Sequence, residues 1–189
     1  MIGETQKIER MEVQTTRLRL VAIDAELARL QVEDRPAFFA ALGAQVEAAW
    51  PPVHGDDDKL IEKLAILRSD PEQAGWRGWV FLMGWEPGGL DRAVGTGGFF
   101  GPPDKTGEIE IGYAMCPSFR EQGLATEAVE GLLDWAFSHD SVKSVRALTQ
   151  AHLYASRRVL EKSGFTETET VTRDEEIVRY DLARGDRAA

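Results

Sequence analysis

The 189-residue chain has one cysteine, Cys116, which excludes an internal disulfide framework and any multi-thiolate zinc site. Its three histidines, His54, His139 and His152, are scattered without metal-ligand spacing, and no metal is expected. No stretch approaches the roughly 20 apolar residues of a membrane helix. The opening Met1-Ile2-Gly3-Glu4-Thr5-Gln6-Lys7 lacks the basic start and apolar run of a secretory signal. Basic residues are also short: 22 Lys and Arg face 32 Asp and Glu, a formal charge of −10. Such a field repels phosphate backbones and anionic membrane surfaces. The expectation is a cytoplasmic protein in a reducing compartment that binds neither nucleic acid nor membrane.

What remains is an ordinary folding composition, 43% hydrophobic and 29% charged, at a length that suits one domain. No repeat or low-complexity block interrupts it. Thr16 to Val21 alternates polar and apolar residues and reads as a half-buried strand, followed by Asp24 as a helix cap. Residues 25 to 49 are rich in helix formers, and Pro36 divides them into two helices that end before Trp50-Pro51-Pro52. Asp56, Asp57 and Asp58 precede a further helix reaching Ser69, where carboxylates complement the macrodipole.

The middle changes period. Trp79 to Met83 and Arg92 to Phe100 flank a Pro-Gly-Gly turn and read as an antiparallel hairpin, and Gly107 to Met115 adds a third strand that Pro117 stops. Among Trp50, Trp76, Trp79 and Trp85, core and pocket lining are both open, with core expected for Trp79. Thr126 to Ser138 carries a helical apolar stripe. A β-branched run (Val142 to Thr149), a helix (Ala155 to Lys162) closed by Gly164, and strands around Thr166 to Val171 and Glu176 to Leu182 complete the chain. The order predicts an α/β fold: a single domain with a mixed, mostly antiparallel sheet flanked by helices.

The segment Arg120-Glu121-Gln122-Gly123-Leu124-Ala125-Thr126 lies between a strand and the strongest helix. A small-residue turn opening a helix leaves N–H groups free to hold a pyrophosphate, and Arg120 can add charge from the side. A plain strand-to-helix turn has the same spacing. Gly95-Thr96-Gly97-Gly98-Phe99-Phe100-Gly101 departs from phosphate-loop spacing and runs into Pro102-Pro103, so it reads as strand and turn. Cys116 has no spacing-linked base and reads as structural.

Taken in order, Thr16-Arg17-Leu18-Arg19-Leu20, Ile111-Gly112-Tyr113, Pro117, Arg120-x-x-Gly123-x-Ala125-Thr126 and Ser156-Arg157-Arg158-Val159-Leu160-Glu161-Lys162-Ser163-Gly164-Phe165 resemble the GNAT superfamily of acyl-CoA-dependent N-acetyltransferases. The likeness is to the branch that includes ribosomal-protein N-terminal acetyltransferases. It spans about residues 15 to 182 and leaves 1–14 and 183–189 as tails. The resemblance implies acetyl-CoA as acyl donor, an amine of a small molecule or protein N-terminus as acceptor, and a monomer or homodimer. It implies pantetheine pairing near Met115 and Cys116 and a pyrophosphate on Arg120, Glu121, Gln122, Gly123, Leu124, Ala125 and Thr126.

By the same resemblance Glu110 accepts the amine proton and Ser156 donates to the departing thiolate. An outward salt-bridged glutamate and a helix-opening serine are the alternatives, and Glu108, two residues away on the same face, competes with Glu110. Two departures stand out: Leu160 occupies the position of the family's acidic tyrosine, and Leu153 that of a pantetheine-binding asparagine, with His152 beside it. These leave open a CoA-binding module that has kept the fold and lost efficient chemistry. The segment from Pro36 to Asp70 is implied to line the acceptor side, where Asp56 to Asp58 would attract a cation or simply open a helix.

Overall fold

A computed structural model describes residues 10–52, 57–84, 89–172 and 176–187. The expectations for His54, Asp56, Trp85 and the Pro87-Gly88 part of the hairpin turn lie outside the described residues. Among those described, the strands are β1 (Glu12–Gln14), β2 (Leu18–Ala22), β3 (Ala44–Gln45), β4 (Trp79–Met83), β5 (Asp91–Phe99), β6 (Glu108–Met115), β7 (Ser144–Gln150), β8 (Thr166–Thr172) and β9 (Glu176–Ala183). The helices are α1 (Ala25–Glu33), α2 (Arg35–Leu42), α3 (Asp57–Ser69), α4 (Leu124–Phe137) and α5 (Tyr154–Lys162).

One sheet runs in the order β1-β2-β4-β5-β6-β7-β9-β8, with β3 beside β5. Its pairs are antiparallel except β3 with β5 and β6 with β7. This is the expected mixed, mostly antiparallel sheet. Local chemistry sets the boundaries: Asp24 accepts from the Leu27 N–H (2.7 Å) to open α1, and Asp34 from the Ala37 N–H (3.0 Å) to open α2 behind Pro36. The second helix ends at Gly43, in the left-handed region, rather than near Ala49.

The short strands β1 and β3 were not expected, because two or three residues carry no readable period. Glu12–Gln14 pairs with Arg19–Val21 inside the segment read as an N-terminal tail. At the other end Arg184 donates to the carbonyls of Phe137 (2.7 Å) and Val142 (2.9 Å), which ties the chain after β9 to the end of α4.

Helix α4 lies across one face of the sheet. Leu132, Leu133 and Ala136 are buried there, and Trp135 packs on Trp79 (ring centroids 5.2 Å) and Phe99 (5.8 Å). Trp79 is fully buried in the core, as expected. Helices α1 to α3 pack on one another beside the opposite face, where Arg19 of β2 reaches the Leu42 carbonyl at the end of α2 (2.7 Å). The glycine-rich β5 is a strand, and its glycines serve close approach. A Cβ on Gly97 would stand 2.6 Å from the Phe81 ring and 2.9 Å from the Gly112 carbonyl.

The feature that positions the site is a split. Strands β6 and β7 pair only from Glu108↔Ser144 to Ile111↔Ala147; beyond that, Gly112–Met115 and Leu148–Gln150 diverge. No helix of the described residues is long and apolar enough to cross a membrane.

Candidate active site

The split opens a cavity of about 900 Å³, walled by the ends of β6 and β7, the turn before α4, and α5. Side chains and peptide groups alternate along β6, which decides what faces it. The Cys116 N–H donates to the Val94 carbonyl of β5 (2.9 Å), so the N–H groups of Tyr113 and Met115, at odd positions, point away from β5 into the split. No β7 partner meets them there. These free edge groups are what an amide-bearing pantetheine arm can occupy as an added strand.

At the other end of the cavity, α4 begins at Gly123 (φ 76°) with no side-chain cap. The Glu127 N–H is the first to reach a carbonyl, that of Gly123 (3.1 Å). The N–H groups of Leu124, Ala125 and Thr126 therefore have no helical acceptor, and all three residues line the cavity. Glu121, just before, is held at φ 62°, a left-handed conformation uncommon outside glycine. Alternating handedness of this kind turns successive N–H groups to one side and makes a concavity for anions.

Arg120 lines the same end, oriented by its Nε donating to the Met115 carbonyl (3.1 Å). Arg158 and Lys162 line the same cavity from α5. Among the described residues, three cations and one carboxylate, Glu121, line this cavity and make it positive within a chain of net charge −10. The family stretch around Ser156 contains both α5 cations. Their spacing of four, which puts them on one helix face, was the signal available in the sequence.

Two expected contacts fall elsewhere. Cys116 does not line the cavity: its N–H is engaged with Val94, its carbonyl accepts from Phe119 (2.9 Å), and its thiol is buried toward the Ala93 carbonyl (3.7 Å). Burial, with Glu47 nearby, pushes that thiol up to about 11, which suits a structural rather than reactive cysteine. Gln122 faces outward, its side chain donating to the Ser118 carbonyl (3.0 Å) and its own carbonyl accepting from Arg17 (3.0 Å).

Ser156 lines the cavity within α5 and is joined by a residue whose role the sequence did not reveal. The Tyr113 hydroxyl donates to the Ser156 carbonyl (3.0 Å) and lies 3.2 Å from its Oγ, bridging β6 to α5 across the split. Burial pushes the phenol up to about 12, against the effect of the Ser156 hydrogen bond, so it stays protonated at neutral pH.

Glu110 stands outside the cavity lining. Its carboxylate is held by Arg146 (2.9 Å), which also binds Glu108 (2.9 Å), and Arg179 links Glu108 (2.9 Å) to Asp181 (2.8 Å). The salt-bridged alternative is the arrangement seen, and it follows from register: Glu110 pairs with Arg146 across the parallel β6–β7 ladder, thirty-six residues on, and no local pattern announces that partner. Both glutamates are compensated ion-pair members.

A further tie holds the turn itself. Glu127, in the first turns of α4, accepts from the Thr15 hydroxyl (2.6 Å), the Arg17 N–H (2.6 Å) and the Arg17 Nε (2.7 Å). Partial burial works against ionisation, but these three donors outweigh it and hold the carboxyl below its ordinary value near 4.5. A depressed folded value stabilises above the ordinary value, and the stabilisation disappears as pH falls below about 4.5. Glu127→Gln should lower stability at pH 7 by roughly 1–3 kcal/mol and narrow the gap between pH 7 and pH 3. Urea midpoints at the two pH values check this; an unchanged gap would remove the tie from the account.

A model of the acetyltransferase (GNAT) domain matches residues 25–166. The chain belongs to the GNAT acetyltransferase family. It is 31% identical over 156 residues to an uncharacterized N-acetyltransferase of Bacillus subtilis, YjdG, an alignment that covers 81% of this chain and 88% of the relative. Among solved structures it resembles RimL, a ribosomal L7/L12 alpha-N-protein acetyltransferase in complex with coenzyme A, with TM-score 0.63, 15% identity, and 92% and 98% of the two chains covered. It also resembles the spermidine/spermine N-acetyltransferase SpeG of Vibrio cholerae, with TM-score 0.62, 14% identity, and 90% and 95% covered. The GNAT fold and an N-acetyltransferase activity follow from the family match.

Proposed function

We propose that this GNAT enzyme uses acetyl-CoA to acetylate a primary amine directly, with no covalent enzyme intermediate. The observation that carries the reading is one cavity joining an uncapped helix start to the unpaired edge of β6. The N–H groups of Leu124, Ala125 and Thr126, with Gly123 and Glu121 shaping the turn, would hold the pyrophosphate, and Arg120, Arg158 and Lys162 would supply charge. The backbone edge at Tyr113 and Met115 would hold the pantetheine amides. Acetyl-CoA, when bound, supplies an activated acyl group and a thiolate leaving group.

Ser156 is the donor proposed for that thiolate. The Tyr113 hydroxyl holds the Ser156 carbonyl, which fixes α5 against β6 and leaves the serine Oγ beside a neutral phenol. Ser156→Ala should lower kcat roughly 10-fold, about the worth of one hydrogen bond near 1.4 kcal/mol, with KM for acetyl-CoA little changed. A drop in affinity without a drop in kcat would move Ser156 from chemistry to binding.

The amine must arrive without its proton. Among the described lining residues the one carboxylate is Glu121, at the phosphate end. An acceptor whose own pKa lies near 8, as an α-amine's does, is partly neutral at physiological pH and needs no strong base, whereas a lysine-like amine near 10.4 does. RimL, whose name records an α-N-protein substrate, is consistent with this preference, and SpeG, named for polyamines, represents the alternative. The rate should climb with pH to a plateau set by the amine itself, and Glu110→Gln should leave that profile in place. A profile that shifts with Glu110→Gln would restore this glutamate as base.

Thiol release from acetyl-CoA over a panel of peptides and small amines tests the whole reading. CoA binding without turnover on any amine would favour a binding module, and failure to bind CoA would overturn the site.

A further inference from the structure

The cavity does not stop at the helix-covered face of the sheet. Ile111 and Ala147, the last paired residues of β6 and β7, are buried toward α4 and α5, and so is Tyr180, whose hydroxyl is held by Arg157 of α5 (3.1 Å). Residues of opposite parity face the other way: Gly112 and Ala114 on β6, Leu148 and Gln150 on β7, and Ile177 opposite Gln150 on β9. All five line the cavity, so it passes through the split and emerges on the opposite face.

Apart from Gln150, that outer mouth is apolar. Leu148 is 45% exposed there. Phe100 is 63% exposed and lies over Gly112: a Cβ there would meet its ring at 3.1 Å. Among the described residues, the charges on this face of β6, β7 and β9, Glu108, Glu110, Arg146, Arg179 and Asp181, are bonded to one another. They present no unpaired partner to a charged substituent. Exposed apolar groups at the mouth of a pocket, rimmed by compensated charges, mark a place for an apolar part of a ligand.

We infer that the acceptor carries an apolar or aromatic group beside its primary amine, and that this group seats on Phe100, Leu148 and Ile177 while the amine enters the split between Gly112 and Leu148. The inference rests on the transferase reading above and narrows its acceptor. The shared chemistry has two sources, a peptide N-terminus with an apolar first residue and a free small amine.

The test measures kcat/KM for thiol release at saturating acetyl-CoA with two matched pairs: tetrapeptides beginning with Phe or Ser, and phenethylamine or ethanolamine. The apolar member of at least one pair should lead by about 10-fold or more, the scale of discrimination a hydrophobic pocket supplies, and the pair that shows it identifies the source. Leu148→Asp and Phe100→Ser, tested separately and with CoA affinity measured alongside to show that each variant folds, should bring that ratio close to one. Polar members used as well as apolar ones, or a ratio that survives both substitutions, would overturn the inference and leave the transferase reading standing. Loss of self-association on Leu148→Asp with an unchanged acceptor ratio would overturn it too, by making the patch a surface between copies. No turnover on any amine, with CoA still bound, would overturn both readings.

Discussion

Gly123→Val should weaken CoA binding roughly 100-fold, close to 2.8 kcal/mol, while leaving the protein folded. Gly123 sits at φ 76°, at the start of α4, with the N–H groups of Leu124, Ala125 and Thr126 directly after it. An L-residue in the left-handed region carries roughly 1–2 kcal/mol of steric strain, and a β-branched one more. The turn can accept that strain or rotate out of it. Rotation swings the N–H groups away from any bound pyrophosphate, and loss of one charge-assisted hydrogen bond of about 1.5–3 kcal/mol supplies most of the expected effect. Direct collision is the smaller contribution, since a Cβ would meet only the Arg17 guanidinium, at 3.5 Å.

Gly123→Ala separates these causes. It shares the unfavourable φ without the branching, so its loss should fall between wild type and Gly123→Val. Calorimetric titration with CoA reads both variants, and a far-UV spectrum shows whether α4 persists. Wild-type affinity in Gly123→Val would place the pyrophosphate elsewhere.

How much of this was legible beforehand depends on the distance over which each feature is encoded. The helical stripe of α4, the caps at Asp24 and the break at Pro36 are local, and each was readable from a few residues. The phosphate turn was readable because its chemistry is carried by backbone, and a glycine before an amphipathic helix marks where that backbone is exposed. Contacts across the sheet were not. Whether Glu110 is free or paired depends on its register with Arg146, and Tyr113 meets Ser156 only once α5 has folded back over β6. Arg17 and Glu127 are 110 residues apart in the chain and 2.7 Å apart in the fold.

Charge shows the same divide. A net −10 counts against a polyanionic ligand when averaged over the molecule. Three cations and several oriented N–H groups lining one cavity reverse that locally, because potential in a cleft follows the nearest charges rather than the sum. Binding of CoA should therefore depend on salt, and Arg158→Glu with Lys162→Glu should both weaken it and flatten its salt dependence. An undiminished slope would remove α5 from the phosphate end.

Trp79→Ala should destabilise the fold by roughly 3–5 kcal/mol, the largest single loss expected of a side chain outside the site. Trp79 is fully buried on β4, paired with Ala22 of β2 and Gly97 of β5, and its ring meets Trp135 of α4 at 5.2 Å. Trp135 in turn packs on Trp76 (4.5 Å) and Phe99 (5.8 Å), so the cavity left behind would open beneath the helix that carries the phosphate turn. The indole N–H also donates to the Gly75 carbonyl (2.7 Å), and truncation leaves that buried acceptor without its partner. Collapse cannot repair the gap, because the adjoining backbone is already in contact: a Cβ on Gly98 would stand 2.8 Å from the Gly78 Cα. With about 2–4 °C lost per kcal/mol in a domain of this size, the melting temperature should fall by roughly 6–20 °C. Trp79→Phe keeps most of the ring and should recover over half of the loss, and saturating CoA should raise the melting temperature of both variants by linkage to the folded state. A Trp79→Ala protein that melts within 2 °C or so of wild type would mean that α4 is anchored from β2 and β6 alone, and that the aromatic cluster contributes shape rather than stability.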